Sequence, residues 1–579
     1  MIKSDNVPVV FEDGMISRSI NMSLSQQVDI AQVEGGDEIF NPDFLKYLIA
    51  LNDRFTKTIH ALRREREDVL KHCLDNQALP TTNEKSQVPD DWTVPPVPED
   101  LKQPGIEITG PASITGMFIN ALNPGPGGKR AEGDLDDDED AAGHTLLDTV
   151  TAAKNRLAAV KGTLEHYDKD RDKEYKLASG KIPFFMHRER GIHLDEPDVK
   201  INNQPVPACL LGAGLTMYYC GREQINQGGG LYFYLPKMES AKDAAFWREF
   251  FDFSKKYLNI DESSTIRAIP LIESLPLAFQ MDEVLYALGP YAVGLNAARW
   301  DFKASIFEFV MTNPNSVWPD RFGVDIKTTP FLSNIFRKLV ATCLNRGGIA
   351  IGGMATALPS KDKEVNDAAA QSIQADKQWE AEQGFLRGWV AHIFHMQTAA
   401  EPFKSLRSSE WKPSESMSNP DNYPISIEVP EGPITIEGTH RNVRMVIEYV
   451  EGWLRGRGAK GIDSLEGKPG IHGPLMEDLA TGRMSVAQIA QRIIHSVKDS
   501  GTGETHSADL VKSIVQEELD DILKIRIEQF GAEYSTEYYN KAAKITLQWI
   551  KNYTELNFRS LGSYSRENLE TIANSPEAL

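Results

Sequence analysis

The apolar positions change period along the chain, and the changes divide it into three parts. Between residues 39 and 75, Phe44, Leu48, Leu51, Phe55 and Ile59 recur at spacings of three and four, the repeat of one helix face. Residues 76–105 are rich in proline and predict an extended connector, because proline lacks a backbone donor and disfavours a helical residue before it. Residues 1–105 are therefore expected to form an N-terminal helical clasp and connector. From residue 106 short apolar runs take over: IPFFMH at 182–187, LYFYLP at 231–236, TIRAIPLIE at 265–273, AVGLNAARWDF at 292–302 and GIAIGGMA at 348–355. Helical patterns at 244–258 and 331–346 lie between them. Apolar strands alternating with helices predict an α/β architecture, a parallel sheet covered on both faces. The number of units favours a TIM (β/α)₈ barrel over residues 106–409. Beyond that the pattern is mostly helical, in RNVRMVIEYVEGWLRGRG, in SVAQIAQRIIHSV and from Ala508 to Phe558. Residues 410–579 are expected to form a C-terminal helical domain.

Charge narrows the partners. The formal net charge is −21, a surface that repels nucleic acid and anionic lipid, so neither nucleic acid nor membrane is expected as a partner. An acidic surface does not exclude an anionic substrate, because a pocket sets its own field. No apolar run reaches the length of a membrane helix. The four cysteines, Cys73, Cys209, Cys220 and Cys343, fit neither a disulfide framework nor a zinc site, which points to a reducing compartment. The N-terminus lacks the apolar stretch of a signal peptide and the chain ends SPEAL, not a peroxisomal address. A cytoplasmic location is the expectation. The oligomeric state is not legible. The acid run GDLDDDED at 133–140 is expected as a solvated loop.

No dinucleotide fingerprint or P-loop occurs, and the Gly228–Gly230 run precedes a strand instead of following one, so it is not a phosphate cradle by position. A barrel places its reactive groups at the C-terminal ends of strands. That rule selects Arg188 and Arg190 after IPFFMH, Lys237 and Glu239 after LYFYLP, Glu273 after IRAIPLI, and Asp301 after the run ending in Trp300. Converging carboxylates and an arginine suit a hard cation and an anionic substrate, since Mg²⁺ prefers oxygen ligands and takes one or two carboxylates. His392 and His395 have HxxH spacing but lack an evident third ligand. Cys343, on an apolar helical face, is expected as packing.

The stretch TIRAIPLIESLPLAFQMDEVLYAL, followed by GLNAARWDF, resembles the malate synthase family. So do INALNPG at 119–125, HRERGIHL at 187–194, LYFYLPKMES at 231–240, AIGGMA at 350–355, YVEGWLRGRGAKGI at 449–462 and LMEDLATGRMS at 475–485. The similarity is collinear from about residue 40 to beyond 485 and is closest to the family's shorter A form. The resemblance implies condensation of acetyl-CoA, as co-substrate, with glyoxylate, and hydrolysis of the malyl thioester to malate and CoA. It implies Mg²⁺ held by Glu273 and Asp301, a catalytic Arg188, and Asp478 as general base brought from the helical domain. It places the glyoxylate carboxylate on the backbone around Arg299 and Trp300. Asp137, Asp138, Glu139 and Asp140 stand at the family's Asp-Phe-Glu-Asp-Ser motif, with Asp138 in place of the aromatic.

Two departures bear on function. At 384–393 the chain reads GFLRGWVAHI, where the family reads close to Gly-His-Asp-Gly-Thr-Trp-Val-Ala-His-Pro. Phe385, Leu386, Arg387 and Gly388 are new and Ile393 replaces proline, so no coenzyme contact is carried over from this segment, which is expected near the coenzyme entrance. Ala298 stands where the family has glycine, beside the expected glyoxylate site. Two alternatives to the malate synthase reading stay open. One is a related acyl-CoA lyase or thioesterase of the malyl-CoA or citramalyl-CoA type. The other is a catalytically lapsed homologue with a binding role.

Overall fold

The computed structural model describes residues 27–81, 86–169, 171–409, 411–465, 473–558 and 566–575. The first predicted helix runs from Pro42 to Asn76 (α1). Asn41 caps it by accepting the Phe44 amide at 3.0 Å, and Pro42 occupies the first turn, where its missing donor costs nothing. The face carrying Phe44, Leu48, Leu51, Phe55 and Ile59 is buried, part of it against the helix Ala241–Tyr257 (α2). There the Phe55 ring meets Phe246 edge-on, with centroids 5.6 Å apart. The proline-rich connector is tied down by Arg346, whose guanidinium donates to the carbonyls of Pro89, Asp90 and Trp92 and pairs with Asp282.

Eight parallel strands then close into a barrel in chain order: Gly105–Gly110 (β1), Gly133–Asp137 (β2), Phe184–Arg188 (β3), Leu231–Leu235 (β4), Ile266–Ile272 (β5), Gly294–Ala297 (β6), Ile349–Ala355 (β7) and Arg387–Val390 (β8). The apolar runs fall on β3 to β7 as expected. The run at 292–302 divides: β6 ends at Ala297, and Arg299–Phe309 is already helical (α3). β8 closes on β1 with Arg387 opposite Gly105. Leu135, Met186, Tyr234, Leu271, Ile351 and Trp389 pack inside the barrel, so its interior is a core and not a channel. Later helices at Lys363–Gln383 (α4) and Met396–Ser408 (α5) cover its outside.

Phe385–Gly388 corrects one expectation. These residues lead into and begin β8 and are buried; they do not line the mouth. The Arg387 guanidinium reaches Glu107 on β1 (3.0 Å) and the carbonyls of Leu101 and Gln103, which seals the lower end of the barrel. A Cβ at Gly388 would come within 2.9 Å of the Glu380 carboxylate and 3.1 Å of the Lys377 ammonium on α4, so glycine is needed where that pair approaches the strand.

The helical domain contains Ile436–Leu454 (α6), Leu479–Ile494 (α7), Ala508–Phe530 (α8) and Glu537–Thr554 (α9). The expected continuous stretch from Ala508 to Phe558 is two helices, interrupted at Gly531, which takes φ 92°. α7 docks on the barrel: Gln488 and Gln491 donate to the carbonyls of Pro319 and Ser316, and Arg492 pairs with Asp320 at 2.6 Å.

Candidate active site

The acidic run at 133–140 is not a solvated loop. It forms β2 and the turn above it, and Asp134, Asp136, Asp137, Asp138, Glu139 and Asp140 are all buried. Burial of so many carboxylates requires cations. Arg156 pairs with Asp136, Asp138 and Glu189, and His187 with Asp136. Arg188, at the end of β3, grips Asp137 with two donors at 2.8 and 2.5 Å and reaches Asp140 at 3.2 Å. This two-point grip fixes the plane of the guanidinium, whose carbon also lies 5.4 Å from the Trp389 ring centre. Arg190 points away, into Glu196 and Thr149.

Beside Arg188, one oxygen each from Asp140, Glu273 and Asp301 lie within 4.8 Å of one another. Among the described residues this is the one group with the spacing of a metal site. Glu273 leaves the end of β5, and Asp301 sits in the first turn of α3. Lys237 enters the same cluster from the end of β4 with a left-handed backbone, φ 51°. Its ammonium is 2.6 Å from Asp301, 2.9 Å from Glu139, 3.1 Å from Asp140 and 3.5 Å from Glu273, and its amide donates to Glu273. Lys237, Arg188 on Asp140 and Arg483 on Asp301 face these four carboxylates together with Asp137 and Glu308, three cations among six carboxylates, which leaves negative charge in excess. Burial pushes Glu273 up to about 7, with Asp301 and Asp140 adding to it against the pull of Lys237. Burial acts on Asp140 too, but Lys237 and Arg188 overcome it and hold that carboxyl below its usual range. Glu139 is fully buried, with Lys237 against one of its oxygens. A donor set of oxygens with surplus charge fits a hard dication.

Asp478 is brought to this cluster by α7, which it caps: it accepts the Thr481 amide, and its own amide donates to the Thr481 hydroxyl. Burial, then the carboxylates of Asp140 and Asp301, raise its pKa well above the ordinary aspartate value; Arg188 opposes them. Glu477 beside it turns the other way, 3.9 Å from Arg321. At the start of α3, Ala298 offers no side chain to cap the helix, so the first amides, those of Arg299 and Trp300, are oriented donors for an anion. The Arg299 side chain points away to Asp376 and the Met354 carbonyl. The Trp300 ring carries Lys303 and Arg321 on its faces. Among the described residues His392 and His395 belong to no metal group; His392 accepts the Phe394 amide in a short turn.

Three participants were not singled out as site residues from sequence. Asp140 lay in a run whose alignment is ambiguous. Tyr449, on α6, has a buried hydroxyl with no hydrogen-bond partner among the described residues, within electrostatic reach of Asp478 and Asp140. Arg483, on α7, donates to Asp301 from the other domain; nothing in its local sequence marks it.

Known proteins resemble this chain over most of its length. Residues 184–425 match the family described as malate synthase, TIM barrel domain, and residues 433–566 match malate synthase, C-terminal. Malate synthase A of Escherichia coli is 32% identical over 91% of this chain and 95% of its own length. The malate synthase of Myxococcus xanthus is 34% identical over 91% and 94%, and a glyoxysomal malate synthase of Glycine max 33% over 91% and 92%. Among solved structures, a Haloferax volcanii malate synthase in a pyruvate/acetyl-CoA ternary complex is similar at 14% identity and a TM-score of 0.42, over 77% of this chain and 97% of that one. With a barrel and a helical domain matched in order, and with relatives alike over nine-tenths of the sequence, the chain belongs to the malate synthase family.

Proposed function

We propose that this chain condenses acetyl-CoA with glyoxylate and hydrolyses the malyl thioester, with Mg²⁺ held by Glu273 and Asp301 and with Asp140 beside them. The observation that carries the reading is the meeting of the Asp140–Glu273–Asp301 cluster with Arg188 and, from a different domain, Asp478. When bound, the dication orients glyoxylate and polarises its aldehyde carbonyl. The first amides of α3 receive the glyoxylate carboxylate. Asp478 removes a proton from the acetyl methyl group. Its raised proton affinity makes it a stronger acceptor than an exposed aspartate. Arg188, permanently charged and held in one orientation by Asp137, stabilises the enolate oxygen as charge develops there. The enolate carbon then attacks the aldehyde carbon, and water releases CoA from the thioester.

The working division is a clasp and connector at 1–105, a catalytic barrel at 106–409 and a base-bearing helical domain at 410–579. Among the described residues no helix is long and apolar enough to cross a membrane, and a cytoplasmic location is part of the same proposal.

The test is release of free thiol from acetyl-CoA. It is expected only with glyoxylate and Mg²⁺ together. Equal release without glyoxylate identifies a thioesterase. Dominant cleavage of malyl-CoA to glyoxylate identifies a lyase. No release or cleavage by folded protein identifies a lapsed homologue.

A further inference from the structure

Both oxygens of Asp301 are engaged by cations of the protein. Lys237 holds Oδ2 at 2.6 Å from within the barrel. Arg483 holds Oδ1 at 3.0 Å from the helical domain. The same guanidinium makes two further bonds to Glu308, at 2.8 and 2.5 Å, and the Tyr553 hydroxyl of α9 donates to that carboxylate at 2.8 Å. Asp301 and Glu308 both lie on α3, two turns apart, and Arg483 lies on α7, five residues beyond Asp478. One side chain therefore connects the helix that carries the base to a ligand of the metal cluster. Of its three bonds, two go to a carboxylate outside the cluster and one goes inside it.

We propose that Arg483 is a positioning residue that fixes Asp478 relative to the metal and, by sharing Asp301 with the dication, weakens metal binding. The inference rests on Asp301 being a metal ligand. Two consequences oppose each other. A positive charge in contact with a ligand repels an incoming dication and occupies one of its donor atoms. The same charge pins α7 to α3, so the base stands at a fixed reach from the methyl group, and small displacements of a reacting group are costly in rate. Glu308 sets the balance between these roles, because it draws the guanidinium away from Asp301.

The experiment measures Mn²⁺ binding to the purified full-length protein without substrate, by the free-ion electron paramagnetic resonance signal, alongside steady-state turnover. Arg483→Met is expected to bind Mn²⁺ roughly ten-fold more tightly while kcat falls roughly ten-fold. Glu308→Gln is expected to weaken Mn²⁺ binding several-fold, because Arg483 then turns fully onto Asp301. Arg483→Lys, which keeps the charge, is expected to return metal affinity most of the way to that of the parent. A merely structural arginine moves affinity and turnover together, and in the same direction for both single variants. Unchanged Mn²⁺ affinity in Arg483→Met, or weaker affinity together with lower kcat, overturns the proposal. Glu273→Gln measured in parallel separates the two readings. If it leaves Mn²⁺ binding intact, the metal assignment itself is wrong. If it abolishes binding while the Arg483 variants behave as the parent, only the role of Arg483 falls.

Discussion

At the mouth of the barrel and inside the helical domain a buried glutamate sits beside a lysine, and the two carboxyls shift in opposite directions. Burial opposes ionisation of both. Glu448, on α6, receives Lys460 at 2.7 Å, Arg526 at 2.9 Å, and the hydroxyls of Ser464 and Tyr539 at 2.7 and 2.8 Å. Lys460 also meets Glu451, which takes Arg455 as well, and Arg526 also meets Asp463, so three cations face three carboxylates and Glu448 is held down to about 2. Glu273 shares Lys237 with Glu139, Asp140 and Asp301; Arg188 and Arg483 reach Asp140 and Asp301 but also serve Asp137 and Glu308, so carboxylates outnumber cations, and Glu273 is pushed up to about 7. The first cluster is neutralised from within and acts as a structural joint between helices. The second has charge left over, the state of a site meant to receive a cation from solution. Burial did not separate these roles; the ratio of cations to carboxylates did.

The sharpest way to break this contrast is at the base. Asp478→Asn keeps size but cannot accept the proton, and turnover is expected to fall by about 10²–10⁴-fold with Mg²⁺ affinity retained. Near-normal turnover in a steady-state assay would show that the helical domain does not complete the site. Glu448→Gln probes the other cluster. It leaves Lys460 and Arg526 without their shared anion and is expected to cost about 3–5 kcal/mol of stability, read by denaturant unfolding, with kcat of the folded protein unchanged. The sign in pH follows from the lowered value. The Glu448 contribution is complete above its unfolded value of about 4.5 and is lost as pH falls from there through about 2. The Gln variant should therefore have a flatter acid limb than the parent. Glu273→Gln and Asp301→Asn are each expected to weaken Mg²⁺ by about 10–100-fold or more, since losing even an outer partner of a metal site costs that much. Calorimetric titration showing unchanged binding in both would remove the metal from this cluster.

The smallest effect is in pH and heat. Glu273 is raised, so its ionisation penalises the metal-free fold increasingly as pH rises from about 4.5 through 7. A bound dication relieves that penalty. The gain in Tm on adding Mg²⁺ should thus be larger at pH 8 than at pH 5.5, by about 1–3 °C. A gain that is the same or smaller at pH 8 would mean that Glu273 does not face the ion.

What was legible in the sequence follows from what each signal depends on. The strands β3 to β7 were readable because both faces of a barrel strand are buried, so β-branched and aromatic residues run on without polar interruption. α1 was readable because only one of its faces is covered. β2 was not, because GDLDD carries the composition of a solvated loop; its burial depends on Arg156, His187 and Arg188 arriving from other elements. The strand-end rule reached Lys237, Glu273 and Asp301 from local pattern alone, and Arg190 with them, although Arg190 serves Glu196. Asp478 came only from the resemblance. Arg483 was invisible to both: a charged residue on a helix looks the same whether it meets water or another domain. The break at Gly531 was missed because the apolar repeat resumes beyond it.

Arg387 has a consequence for how the chain is made. Its partner Glu107 was synthesised 280 residues earlier, and β1 has no neighbour on that side until β8 arrives. At about 5–20 residues per second, ribosomes leave an acidic strand edge unsealed for about 15–60 s. Pairing across such a separation is entropically slow once the strand is available. The glutamate that waits on β1 stays hydrated while it lacks its arginine, and this discourages early burial of that edge against the wrong strand. The ring can close only when the last strand has emerged, with Arg387 meeting Glu107 at its base.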